Sequence, residues 1–155
     1  MFSGVNLDTG WYLVYINKHG HNIVSPLNLQ RVSASAEVVA AMVEEHVMFS
    51  SAEAWKSGSL VWKVSHVSES GIDHLEEQGS LPMNYQEIRQ RLLAAQKQED
   101  EEELIVDHVF DVPLEIAESI VGYKHDKQFH AHFEILNPIV PAKQGLFSRL
   151  FPNRS

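Results

Sequence analysis

The sequence predicts an α+β fold: a mainly antiparallel sheet of about five to six strands, with helices packed on one face. Three observations carry this. Short β-branched and aromatic runs, such as those at 11–16 and 129–136, are bounded by turn chemistry. Between them lie segments with apolar residues at helical spacing. The strands fall into local hairpins, whereas a parallel sheet needs a helix between every pair.

The elements follow in order. Trp11 to Ile16 is aromatic and β-branched and reads as a strand. Asn17-Lys18-His19-Gly20 turns the chain, and His21 to Val24 returns as a short strand that Ser25-Pro26 ends. Ser33 to Phe49 reads as a helix, with Val39, Met42, Val43, His46 and Val47 on one stripe. Ser50 with Glu53 has capping-box spacing and opens a second short helix that stops at Gly58. Leu60 to Val67 and Ile72 to Gln78 form a hairpin about Ser68–Gly71.

Asn84 starts the next helix, whose buried stripe is Tyr85, Ile88, Leu92 and Ala95 and which ends near Gln98. Five acids, Glu99 to Glu103, follow as a solvated loop. Leu104 to Phe110 is a strand, and Pro113 opens a short helix capped by Gly122. Phe129 to Leu136 is the last strand. Residues 1–140 make one domain, and 141–155 form a basic-aromatic tail.

The hairpin register adds detail. Pairing Val67 with Ile72 puts His66 opposite Asp73, Val64 opposite Leu75 and Lys63 opposite Glu76. Trp62, Val64 and Leu75 then share an apolar face, and Lys63, Ser65, His74 and Glu76 a polar one. Alternation in the last strand sends Phe129, Ala131, Phe133 and Ile135 inward and His130, His132 and Glu134 outward. Asp107 faces outward by the same rule, with Leu104, Val106, His108 and Phe110 inward. If these strands share a sheet, its uncovered face holds His74, Asp107, His130, His132 and Glu134.

Composition bounds the function. The chain has 155 residues, 44% hydrophobic and 21% charged, as a globular protein has. It has no cysteine, which excludes disulfides, thiolate catalysis and cysteine-ligated metals. The net charge of −9 argues against nucleic acid; it makes a basic protein partner easier to accept, but its main expected role is to keep the protein soluble. No run is long enough to span a membrane, and no secretory leader is recognised at the start, so the expected compartment is the cytoplasm.

Phosphate-binding glycine loops and zincin motifs are absent. His66 with Asp73 resembles an oriented general base, but no nucleophile stands beside it. Two imidazoles and a carboxylate at strand spacing, His130, His132 and Glu134, could converge on a divalent transition metal, with Asp107 or His74 completing the set. The main expectation is a non-catalytic protein-binding domain of inhibitor, immunity or adaptor type. Its partner surface would comprise His74, His130, His132 and Glu134, with Tyr123 and His125 in the loop after Gly122. A metal protein and a homodimer paired through the open face are the alternatives.

Overall fold

The computed structural model describes residues 2–101 and 106–137. It has seven strands in two antiparallel sheets, with three α-helices. The fold is α+β, as the sequence indicates, but the strands are divided between two sheets.

The smaller sheet has the order β2-β1-β7: β1 (Phe2–Asn6) lies between β2 (Tyr12–Ile16) and β7 (Glu134–Leu136). Gly4 sits at its centre, opposite Val14 and Glu134. The end of the Tyr12 side chain lies where a Cβ at Gly4 would stand, so a larger residue there would have to displace it. From there the Tyr12 hydroxyl reaches Glu134; desolvation and that carboxylate raise its pKa. The turn between β1 and β2 joins the sheet to the rest of the chain. Thr9 Oγ1 donates to the Val121 carbonyl at 2.6 Å.

The larger sheet has the order β3-β4-β5-β6. β3 (Val38–Glu44) and β4 (Phe49–Lys56) run antiparallel, with Val38 opposite Trp55 and Glu44 opposite Phe49. β5 (Ser59–Val67) follows through Ser57 and Gly58, both at positive φ. Two such residues make the turn whose twist matches a hairpin, and glycine accepts it without strain. A bulge at Ala54/Trp55 shifts the register, so Trp55 faces Leu60. β6 (Glu76–Gly79) closes the sheet, with Val64 opposite Glu77.

α2 (Tyr85–Glu101) and α3 (Asp111–Val121) lie over one face. Ala52, Trp62 and Val64 of the sheet pack with Tyr85, Ile88 and Leu92 of α2 and with Val112, Ile116 and Ala117 of α3. Each fully buried large apolar side chain here is worth about 1.5–3 kcal/mol. Tyr85 is buried and donates to the Glu77 carboxylate, tying α2 to β6. α1 (Pro26–Ser33) contacts β3, β4 and β5, and its Leu29 and Ser33 are buried outside that core cluster. Ser51 and Ser65, which alternate away from Ala52 and Val64, are buried too. The second face of this sheet is therefore not bare.

Several expectations are corrected. The helix expected over Ser33 to Phe49 is the last residue of α1, a loop, β3 and a 3-10 turn leading into β4, and the short helix expected before Gly58 is β4. Val38, Val39 and Val43 are β-branched, and pairing with β4 gives them a half-buried pleated surface that suits them better than a helix. His21 to Val24 is a 3-10 turn rather than a strand, and Pro26 is the first residue of α1 rather than a breaker. α2 runs on to Glu101 through the acids expected in a loop.

The strand expected over 104–110 is, in its described part, a turn leading into α3; Val106 is 46% exposed while Val109 is fully buried. The last strand shortens to Glu134–Leu136, and Ile135, expected inside, is 65% exposed. The basic-aromatic tail lies outside the described residues.

Candidate functional site

The hairpin register is shifted by two residues from the expected one, because the loop between β5 and β6 is longer than a four-residue turn. Near the end of β5, next to that loop, His66 takes a different partner. Its Nε2 lies 2.9 Å from Asp107 Oδ2, and its Nδ1 lies 2.7 Å from the His74 carbonyl oxygen. The pairing with Asp73 is not formed; the carboxylate comes from 41 residues away in sequence. Ser68 Oγ donates to the same Asp107 oxygen at 2.5 Å, and the Phe110 amide donates to the other at 3.0 Å. Asp107 thus caps the turn that opens α3, as a short carboxylate does at a helix entry.

This node is structural. The imidazole is completely buried, with Nδ1 against the His74 carbonyl and Nε2 against the Asp107 carboxylate. Ser68 Oγ also lies 3.1 Å from His66 Nε2, but the Asp107 carboxylate sits on that same nitrogen, whereas a serine–histidine–carboxylate relay needs it on the other one. Gln96, buried in α2, supports the same segment: its Nε2 donates to the Val106 carbonyl and its Oε1 accepts from the His108 amide. Ser50 Oγ donates to the Phe110 carbonyl at 2.6 Å from β4.

The five residues of the expected metal set are not brought together. Asp107 is taken by His66 and Ser68, and His74 lies in the loop before β6. His130 and His132 are exposed and precede β7, where the backbone is not a strand and the two-residue alternation does not apply. Glu134 is on β7 in the smaller sheet. Among the described residues no three His, Asp or Glu side chains form a metal site.

The expected partner surface also divides. Tyr123 packs edge-on against Phe129 and Phe133, and Phe133 packs against Tyr15 of β2. Burial raises the Tyr123 pKa, and Tyr15 adds to the shift. Its neighbour Lys124 is buried, with ion pairs to Asp111 at 2.9 Å and Asp126 at 3.0 Å. That loop is therefore clamped rather than solvent-facing throughout. His125 lies 3.9 Å from Glu45, at the turn between β3 and β4.

The feature that stands out lies on β3. It is an edge strand, and no described strand pairs with its outer side. From Val38 to Val43 it reads Val-Val-Ala-Ala-Met-Val, with no charge, proline or bulge. An edge with unpaired backbone groups and apolar side chains is a template for another strand.

Beside the start of β3 opens a groove of about 200 Å³. Val38 and Val39 line it from β3, Trp55 from β4, Trp62 from β5, Ile120 from α3, and Trp11 from the start of β2. These are all three tryptophans of the chain. The Lys56–Glu37 ion pair stands at its rim. Trp55 Nε1 is buried and has no hydrogen-bond partner among the described residues.

The groove is not legible in the sequence because Trp55 and Trp62 meet only if 49–56 is a strand, and Trp11 joins them from more than forty residues away. Ser57-Gly58 between two apolar runs was the one available signal, since a two-residue turn there makes both runs strands.

No family model, curated protein or solved structure matches this chain. Among the described residues no helix is long and apolar enough to cross a membrane.

Proposed function

We propose that this chain is a protein-binding domain that takes up an extended segment of another protein as an added strand along β3. The observation that carries the reading is the edge strand with six consecutive apolar residues, lying beside a groove lined by all three tryptophans. In strand addition the backbone bonds supply affinity and pockets for alternate side chains supply selectivity. A groove of about 200 Å³ is smaller than the roughly 300–1,000 Å³ of small-molecule sites, which suits one large side chain rather than a metabolite. Tryptophans around a desolvated pocket are the residues that dominate binding energy in interfaces. No reaction is assigned, because the buried His66–Asp107 pair is enclosed and spent on holding the fold.

The test uses synthetic peptides of alternating β-branched and polar residues with one aromatic residue. Binding should change tryptophan emission and slow hydrogen exchange at alternate amides of β3. Methylating alternate peptide nitrogens should abolish it, since the methyl group removes the backbone donors. Replacing Trp55 with alanine should weaken binding by about 2 kcal/mol, roughly thirtyfold in Kd. Undiminished binding of the N-methylated peptides, or protection confined to other elements, would overturn the reading.

A further inference from the structure

The two ends of β3 differ in charge, and this specifies the occupant. At the Val38 end the Lys56–Glu37 pair leaves the groove close to neutral and its wall apolar. At the other end stand Glu44 and Glu45, the latter 76% exposed at its side chain. Their ion-pair partners among the described residues are histidines, His19 at 3.5 Å and His125 at 3.9 Å, with no lysine or arginine. The edge is thus apolar at one end and acidic at the other. The ends are about 20 Å apart at the usual rise per residue.

A second copy of the chain suits this edge poorly. Full-length antiparallel pairing of two β3 strands about Ala41 sets Glu44 opposite Val38 of the second copy, and Glu45 opposite Glu37. Each acidic Glu44–Glu45 end would then lie beside the apolar Val38 end of the other copy, where the Lys56 ammonium is already paired with Glu37. The net charge of −9 adds repulsion between copies. A segment with basic residues at one end and an apolar anchor at the other meets neither penalty.

Resting on the strand-addition reading, we infer that β3 selects a partner segment of about seven residues with lysine or arginine at its N-terminal end and a large apolar residue at its C-terminal end. The polarity follows from antiparallel pairing, the more stable arrangement per residue. An antiparallel segment begins beside Glu44 and ends beside Val38. Its basic residues then meet Glu44 and Glu45, and its last side chain enters the tryptophan groove.

The experiment titrates the full chain with a blocked peptide of sequence arginine-lysine-valine-threonine-valine-threonine-phenylalanine. Tryptophan emission gives the Kd, and hydrogen exchange locates the site. A second peptide carries two glutamates in place of the basic pair, and a third has the residue order reversed. The basic-first peptide should bind at least tenfold more tightly than either. Glu44→Gln with Glu45→Gln should remove most of that preference while leaving the thermal melt unchanged.

Equal binding of the basic and acidic peptides, with β3 amides protected by both, overturns the charge selection and leaves strand addition standing. Binding without β3 protection defeats strand addition itself. Concentration-dependent dimerisation that protects β3 amides would make a second copy the occupant. Peptide binding that appears only after Phe147→Ser and Phe151→Ser would make the chain's own end the occupant. Either result overturns the inference of an outside partner.

Discussion

The two edges of the four-stranded sheet are built by opposite rules. β6 has four residues, Glu-Glu-Gln-Gly, all exposed, and Glu77 is bound by Tyr85 of α2. Short length and carboxylates are the means by which proteins keep a sheet edge from recruiting another strand. β3 has seven residues and six consecutive uncharged apolar positions. The same sheet therefore protects one edge and leaves the other able to pair. A fold that had merely neglected its edges would show no such contrast, and this is the strongest reason to place recognition at β3.

The protected side also carries the tightest polar anchoring. His66 on β5 holds the loop before β6 through the His74 carbonyl and holds the entry to α3 through Asp107. Asp107→Asn should have the largest effect of any change discussed. It deprives the buried imidazole of its charged partner, and it weakens the turn that the carboxylate caps. Breaking one partner of a buried pair costs about 3–5 kcal/mol, so Tm should fall by roughly 6–20 °C. A calorimetric melt with a loss under about 1 kcal/mol would mean that the pair is not the anchor described. The β3 edge lies beyond β4 from this node, so peptide affinity measured well below Tm should be little changed.

Much of this architecture was readable from the residues, but unevenly. The buried stripe Tyr85, Ile88 and Leu92 of α2 was legible because helical spacing is local. The Gly122 cap and the apolar face of Trp62 and Val64 were legible for the same reason. Val38 to Val43 was not, because Val39, Met42 and Val43 satisfy helical spacing as well as they satisfy a strand edge. Pairing with β4 decides between the two, and it is tertiary information. Asp107 was aimed the wrong way for a related reason. Its partner lies 41 residues away, and its segment is a capping turn rather than a strand. The histidines before β7 looked like a ligand set only under an alternation that their backbone does not follow.

The contrast between the edges can be reversed on the protected side. Glu76→Val with Gln78→Val removes one carboxylate and gives β6 the β-branched character of β3, without touching Glu77. Both positions are exposed, so the fold should change by no more than about 1 kcal/mol, the span of strand propensity. The variant should nevertheless self-associate in sedimentation runs at rising concentration, while the parent chain under the same conditions should not. If both behave alike, the charges on β6 do not keep that edge from pairing, and the comparison loses one of its terms.

The smallest effect on the fold is expected from a single lysine on the open edge. Ala41 is exposed at the middle of β3, and it lies opposite Ala52 on the neighbouring strand. Ala41→Lys removes no buried contact, so stability should stay within about 0.5 kcal/mol of the parent. Yet lysine on an edge strand is what β3 lacks from end to end, and it is a recurrent device against strand addition. A desolvated ammonium beside an added strand opposes binding, and a basic segment feels like-charge repulsion as well. Peptide affinity should therefore fall about tenfold with the melt unchanged, a combination that separates recognition from folding. Glutamate at the same position should also oppose strand addition through desolvation, but it should retain more affinity for the basic-first peptide than lysine does. Equal losses for lysine and glutamate would leave the edge as a general pairing surface without the charge selectivity of its Glu44–Glu45 end.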